Sequence, residues 1–205
     1  MDKQNIAAIV LAAGKSSRMQ EPKILLDLAG RPIISYPLAS IKKAGIQEIF
    51  VVVGHGYPDA IAFLTMMPEG DGVDILINHH YKQGMASSIV LAMEMLSLEA
   101  SAVLLFLADM PFINSKIIMQ IIDFFQSSEH QDKFFVPCYQ GSYGHPVLIP
   151  RKYFSDLKEL RGDLGARKLL HKSNENVMLV SVDSNSILVD IDTKEDWLKC
   201  KNCVY

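Results

Sequence analysis

The stretch Ile6-Ala-Ala-Ile-Val-Leu-Ala-Ala-Gly-Lys-Ser-Ser-Arg-Met-Gln-Glu-Pro-Lys23 passes from an unbroken apolar run into small residues, hydroxyls and cations. A buried strand that ends in two alanines and Gly14 leaves backbone N–H groups unobstructed, and Arg18 and Lys23 add positive charge beside them. The segment therefore predicts a polyphosphate cradle at the carboxyl end of a first strand. Leu11, Ala12, Ala13, Gly14, Arg18 and Lys23 are its candidate nucleotide-binding residues, with Lys15 as an auxiliary.

Two better-known phosphate loops are excluded. A P-loop needs a glycine five residues before its Gly-Lys pair, and that position is Ile9. A dinucleotide fingerprint needs three glycines within six residues, whereas Gly14 stands alone between Leu11 and Met19.

The rest of the chain fits a layered α/β domain. Apolar runs at Ile6–Leu11, Glu48–Gly54, Val73–Asn78, Ala102–Asp109, Lys133–Tyr139, Pro146–Pro150, Val177–Val182 and Ile187–Asp190 predict strands. Helical periodicity covers Pro32–Ala44, Pro58–Met66, Met85–Leu98, Ser115–Gln126 and Arg167–His171. Alternation of this kind builds a mostly parallel sheet with helices on both faces, and ligands then sit beyond the carboxyl ends of the strands. The late strands, with the Gly141–His145 turn between two of them, are expected to form a small β-rich insertion covering that edge.

Composition narrows the function. The 205 residues are 49% hydrophobic, enough for one domain spanning 1–205, and the net charge of −3 argues against a dedicated nucleic-acid binder. No apolar stretch reaches the ~20 residues of a membrane span, and no signal-peptide pattern opens the chain, so a cytoplasmic location is expected. Three cysteines disfavour a disulfide framework, and Cys200-Lys-Asn-Cys203 lacks the second ligand pair that tetrahedral zinc requires.

Asp109 closes the apolar run Val103–Ala108, where a carboxylate is held at the rigid end of a buried strand. Mg²⁺ takes one or two carboxylates plus phosphate oxygens and water, and Asp109 with a second acid fits that need. Asp190 and Asp192 compete for the second position. Strand alternation would put both on one face, roughly 6–7 Å apart. Asn78, Gly84, Ser87 and Ser88 form a further nucleotide-binding set, in which Gly84 supports a tight turn and the hydroxyls either cap the next helix or bond a base.

These residues resemble the signature series of the MobA-like NTP transferases, and within them the molybdenum cofactor cytidylyltransferases. The loop matches L-A-A-G-x-S-x-R-M-G-x-x-K except that Gln20 replaces a glycine, which implies a differently bent loop tip. The series continues in order with Gly84–Ser88, Leu107–Pro111, Gly144–Val147, Gly162–Arg167 and Asp190–Thr193. The resemblance implies a Rossmann-like three-layer α/β/α fold of the nucleotide-diphospho-sugar transferase type. It implies transfer of CMP from CTP to the phosphate of molybdopterin, with Mg²⁺ as cofactor and a molybdoenzyme or its chaperone downstream. Catalysis would fall to Lys23, Arg18 and Asp109, the second metal ligand would be Asp190, and Ser88 would contact the pyrimidine. His145, Asp163 and Arg167 would serve the second substrate. A guanylyltransferase using GTP shares these features. A cytidylyltransferase for sugar or alcohol phosphates is disfavoured by Gly162–Arg167, and a non-catalytic nucleotide-binding protein by the intact Asp109, Asp190 and Lys23.

Overall fold

The computed structural model describes residues 5–14, 22–54, 56, 58–163 and 174–201. In chain order the strands are β1 (Asn5–Ala12), β2 (Asp27–Leu28), β3 (Arg31–Pro32), β4 (Ile49–Gly54), β5 (Asp74–Asn78), β6 (Ala100–Leu107), β7 (Phe134–Tyr139), β8 (Ser142–Tyr143), β9 (Val147–Pro150) and β10 (Val177–Ser181). The helices are α1 (Ser35–Lys43), α2 (Pro58–Met66), α3 (Met85–Met95), α4 (Ser115–Ser127), α5 (Phe154–Lys158) and α6 (Lys194–Lys201).

One eight-stranded sheet runs in the order β10-β7-β9-β6-β1-β4-β5, with β8 paired to β7. Strand β1 pairs in parallel with both β4 and β6, and only β9 and β8 oppose the common direction. The chain moves outward from β1 to β4 and β5, then crosses back to lay β6 on the other side of β1. That reversal opens a crevice between the carboxyl ends of β1 and β6, the place where such sheets bind ligands.

Side-chain alternation along β1 builds the layers. Ala8, Val10 and Ala12 face a core shared with Leu38 and Ile41 of α1, Leu64 of α2 and Ile118, Ile121 and Phe125 of α4. Ile9 and Leu11 point the other way, toward Ala86, Ile89 and Met93 of α3 and Leu157 of α5. Strands covered on both faces are apolar throughout, which is why β1, β4 and β6 read so plainly in the sequence. The expected three-layer architecture is the one observed.

Three expectations are corrected. The late strands do not cover the edge, because β7, β9 and β10 extend the main sheet and only β8 leaves its line. The run Ile187–Asp190 is not a strand: Asn185–Leu188 is a 3₁₀ turn, started by the Ser184 hydroxyl accepting from the Ser186 N–H. The helix expected from Pro32 begins at Ser35, because Leu28-Ala-Gly-Arg31 is the turn of the β2–β3 hairpin. Ala29 and Gly30 both take positive φ there, 52° and 81°, as a two-residue hairpin of the right twist requires. The expected helix Arg167–His171 lies outside the described residues.

Candidate active site

A cavity of about 830 Å³ opens over the crevice between β1 and β6. Leu11, Ala12, Ala13 and Gly14 line it from the first strand, Leu107, Ala108 and Asp109 from the sixth, and the two are tied where the Ala108 N–H donates to the Leu11 carbonyl at 3.1 Å. Lys23, Asp190 and Asp192 close one side, while Gly84, Ser88 and Asp163 close another. Residues drawn from all over the chain thus meet at one mouth of the sheet. Arg18, Lys15, Gln20 and Arg167 lie outside the described residues.

Lys23 opens a 3₁₀ turn that leads into the β2–β3 hairpin. Its ammonium donates to Asp109 Oδ2 and, at 2.6 Å, to Asp192 Oδ1. Burial works against the charged ammonium, but the fields and hydrogen bonds of Asp109 and Asp192 outweigh it, so the Lys23 pKa sits above its ordinary value. The other Asp109 oxygen, Oδ1, is buried with no hydrogen-bond partner among the described residues. A buried acceptor left in that condition is expensive unless something cationic or protonated meets it.

Asp190 and Asp192 reach the cavity without any strand pairing. Between them, Ile191 is fully buried with Leu28 and Ile33, and its N–H donates to the Asp109 carbonyl at 3.0 Å. Turning one residue inward turns both neighbours outward, so the expected shared face exists although the expected strand does not. The α6 helix locks this segment: Thr193 and Asp196 exchange capping hydrogen bonds at its start, and Trp197 Nε1 donates to the Asp27 carbonyl at 2.7 Å. Truncating Ile191 to alanine should cost about 2–4 kcal/mol of stability, the usual range for a fully buried aliphatic chain. Chemical denaturation will measure that loss, and turnover of the folded fraction should fall as well, because both acids lose their anchor.

The Asp190 pKa is raised, first by desolvation and then by the negative fields of Asp192 and Asp109. Without metal, the charged form is disfavoured in the fold, so this group's contribution to stability declines as pH rises through its raised pKa. A divalent cation among these acids reverses the preference. Mn²⁺ affinity, followed by electron paramagnetic resonance, should therefore begin to fall at a higher pH than an ordinary aspartate would give. Asp190→Asn should abolish that early fall.

The opposite wall is built around Asn78. Its amide donates to Ser87 Oγ and Ser88 Oγ, both at 2.9 Å, and its carbonyl oxygen accepts from the His80 N–H. Asn78 does not line the main cavity; its effect on the site passes through Ser88, which does. Ser87 bonds back to the Gly84 and His80 carbonyls and serves the turn that opens α3. Gly84 has a φ of 107° and no room for a side chain, since a Cβ would lie 2.5 Å from Asp163 Oδ1. His145 is at the same edge of the sheet but not in the cavity lining, its N–H donating to the Ile187 carbonyl at 3.0 Å. Tyr81 and Met85 also line the cavity. Tyr81 carries no signal in the sequence beyond its position between Asn78 and Gly84, and Met85 enters only as part of the Gly84–Ser88 motif.

The family model of the MobA-like NTP transferase domain matches residues 8–177, from β1 into β10. The chain belongs to that family. Its members are nucleotidyltransferases by description, and the cavity lies beyond the carboxyl ends of β1 and β6, where open α/β sheets bind ligands. Rv0371c of Mycobacterium tuberculosis H37Rv superposes with a TM-score of 0.83 at 27% identity, covering 98% of this chain and 99% of that one. A second structure of that protein is described as a complex with manganese, with a TM-score of 0.81 at 26% identity over 98% and 100% of the two chains. The 4-diphosphocytidyl-2C-methyl-D-erythritol synthase of Anaerococcus prevotii shares the fold at 15% identity, with a TM-score of 0.79 and 99% coverage of both chains. Among curated relatives, the bifunctional protein GlmU of Geotalea daltonii is 29% identical over 147 residues, 70% of this chain and 31% of that protein. The chain thus spans about a third of the length of the curated relatives it matches. Among the described residues, no helix is long and apolar enough to cross a membrane.

Proposed function

We propose that this chain transfers CMP from CTP to the terminal phosphate of molybdopterin, releasing pyrophosphate. The observation that carries the nucleotidyl-transfer reading is the cavity that brings together Leu11–Gly14, Lys23 and the three aspartates Asp109, Asp190 and Asp192, with Asp163 at its far side. The acceptor follows from the motif series that runs from Gly84 to Thr193 in the order of the molybdenum cofactor cytidylyltransferases.

The residues present fit Mg²⁺. Asp109 Oδ1 is a buried acceptor without a partner among the described residues, and Asp190 is crowded by two further carboxylates. No group of three or more His, Cys, Asp or Glu among the described residues forms an all-protein metal cage. One or two carboxylates completed by phosphate oxygens is the usual arrangement for this ion. Asp109 and Asp190 would hold it, with Asp192 at hand. When bound, it neutralises charge on the triphosphate and on the incoming phosphate.

The remaining work belongs to the chain itself. The attacking phosphate monoester has a second pKa near 6 and is mostly dianionic at neutral pH, so no general base is needed. Alignment and charge neutralisation account for most of such a reaction. The Leu11–Gly14 backbone would cradle the triphosphate, Arg18 would grip the departing pyrophosphate, and Lys23 would balance the charge growing around the α-phosphorus. His145 and Arg167 are assigned to the acceptor.

The test is incubation with each radiolabelled nucleoside triphosphate and molybdenum cofactor, followed by product identification. A cytidine dinucleotide of the cofactor is expected. A guanine product, or a labelled sugar or alcohol phosphate as the preferred outcome, would overturn the assignment.

A further inference from the structure

The charges divide the cavity into two ends. Lys23, Asp109, Asp190 and Asp192 hold one, where a divalent ion and a polyphosphate belong together. At the other end, among the described residues, stands the carboxylate of Asp163, which repels a polyphosphate. The neutral nucleoside is therefore the part of the substrate left facing Asp163, Gly84 and Ser88.

Asp163 is placed there by close backbone packing. The Ala86 N–H donates to the Gly162 carbonyl at 3.0 Å, fastening the Gly162–Asp163 turn to the first turn of α3. The bare Cα of Gly84 lets that turn approach, since an added Cβ would meet Asp163 Oδ1 at 2.5 Å and the Gly162 oxygen at 2.6 Å. Ser88 is polarised from behind. Its oxygen accepts the Asn78 amide at 2.9 Å, which leaves its own hydrogen to be donated.

Among the described residues of this wall, Ser88 offers a donor and Asp163 an acceptor. Cytosine presents the matching pattern, with acceptors at N3 and O2 beside the amino donor on C4. Uracil reverses it, placing an N–H at position 3 and a carbonyl oxygen at position 4. A carboxylate facing that oxygen is left unpaired and repelled, the situation in which polar sites discriminate most strongly.

We propose that Asp163 is a specificity-determining residue that reads the exocyclic amino group of the base and rejects uracil. The proposal rests on the cytidine-nucleotide reading above and replaces the second-substrate role that resemblance suggested for this residue. Binding of CTP, UTP and GTP with Mg²⁺, measured by calorimetry without any acceptor, tests it separately from turnover. Wild-type protein should prefer CTP over UTP by about tenfold to a hundredfold, the range for one well-placed base contact. Asp163→Asn should erase most of that preference, chiefly by tightening UTP, whose O4 the amide can donate to. Asp163→Ala should erase it by weakening CTP. An unchanged CTP to UTP ratio in both variants, or parallel losses for all three nucleotides, would overturn the role of Asp163. Tighter GTP than CTP in the wild type, or no nucleotide binding at all, would overturn the cytidine reading and the proposal with it.

Discussion

Asp109→Asn protein should release pyrophosphate from CTP and cofactor about 10²–10³-fold more slowly than the wild type, the usual loss for one preorganised electrostatic partner. Asp109 sits on the turn directly after β6, and its carbonyl is fixed by the Ile191 N–H. The substitution keeps the size and leaves that backbone bond in place, so the fold should survive. What changes is charge at an oxygen that is buried and without a partner among the described residues. Mn²⁺ binding should weaken in step with turnover. Near-normal pyrophosphate release would remove Asp109 from the metal site, and an intact melting transition would show that the loss is chemical.

Lys23→Met should lower turnover by a similar factor, about 10²–10³, yet strengthen binding of Mn²⁺ in the absence of nucleotide. The Lys23 ammonium already neutralises Asp109 and Asp192, and its positive charge repels a divalent ion seated on the neighbouring Asp109 Oδ1 and Asp190. Unit charges at contact interact by several kcal/mol at an effective dielectric of about 20, so removing that charge should tighten Mn²⁺ by roughly tenfold or more. The same change leaves Asp109 facing other carboxylates. With the paired side chains only 15% and 13% exposed, the metal-free variant should lose about 2–3 kcal/mol, somewhat less than a fully buried pair. Added Mn²⁺ should restore much of that stability. Weaker Mn²⁺ binding in Lys23→Met would mean that the lysine orders the acids more than it repels their ion.

Much of the scaffold was legible because a two-sided sheet leaves no choice of residue in its central strands. The runs Ile6–Leu11 and Val103–Ala108 have to be apolar at every position, and their ends point to Gly14 and Asp109. Ile187–Val189 is equally apolar, yet only Ile187 of these three is buried, by a 3₁₀ turn packed against β7 and β8, and composition alone does not distinguish the two. The β2–β3 hairpin was hidden because its strands are two residues each, too short for any period. The site followed the same division. Which residues would be polar at the sheet's edge could be read from strand ends, but Lys23 pairs with acids 86 and 169 positions away, and nothing local encodes that. Asp163 was missed as a neighbour of Gly84 for the same reason: the contact depends on a positive φ in one turn and the approach of another.

The docking of α6 through Trp197 carries a consequence for how competence arises in the chain. The phosphate loop and Asp109 belong to the early strands, whereas Asp190 and Asp192 arrive only when Ile191 seats against Leu28 and Ile33. A folding intermediate with its central sheet complete but this strap undocked would hold an unfinished cation site. On the proposed metal site, affinity for a divalent ion should rise as this strap docks, and a pulse of Mn²⁺ during refolding would time that docking.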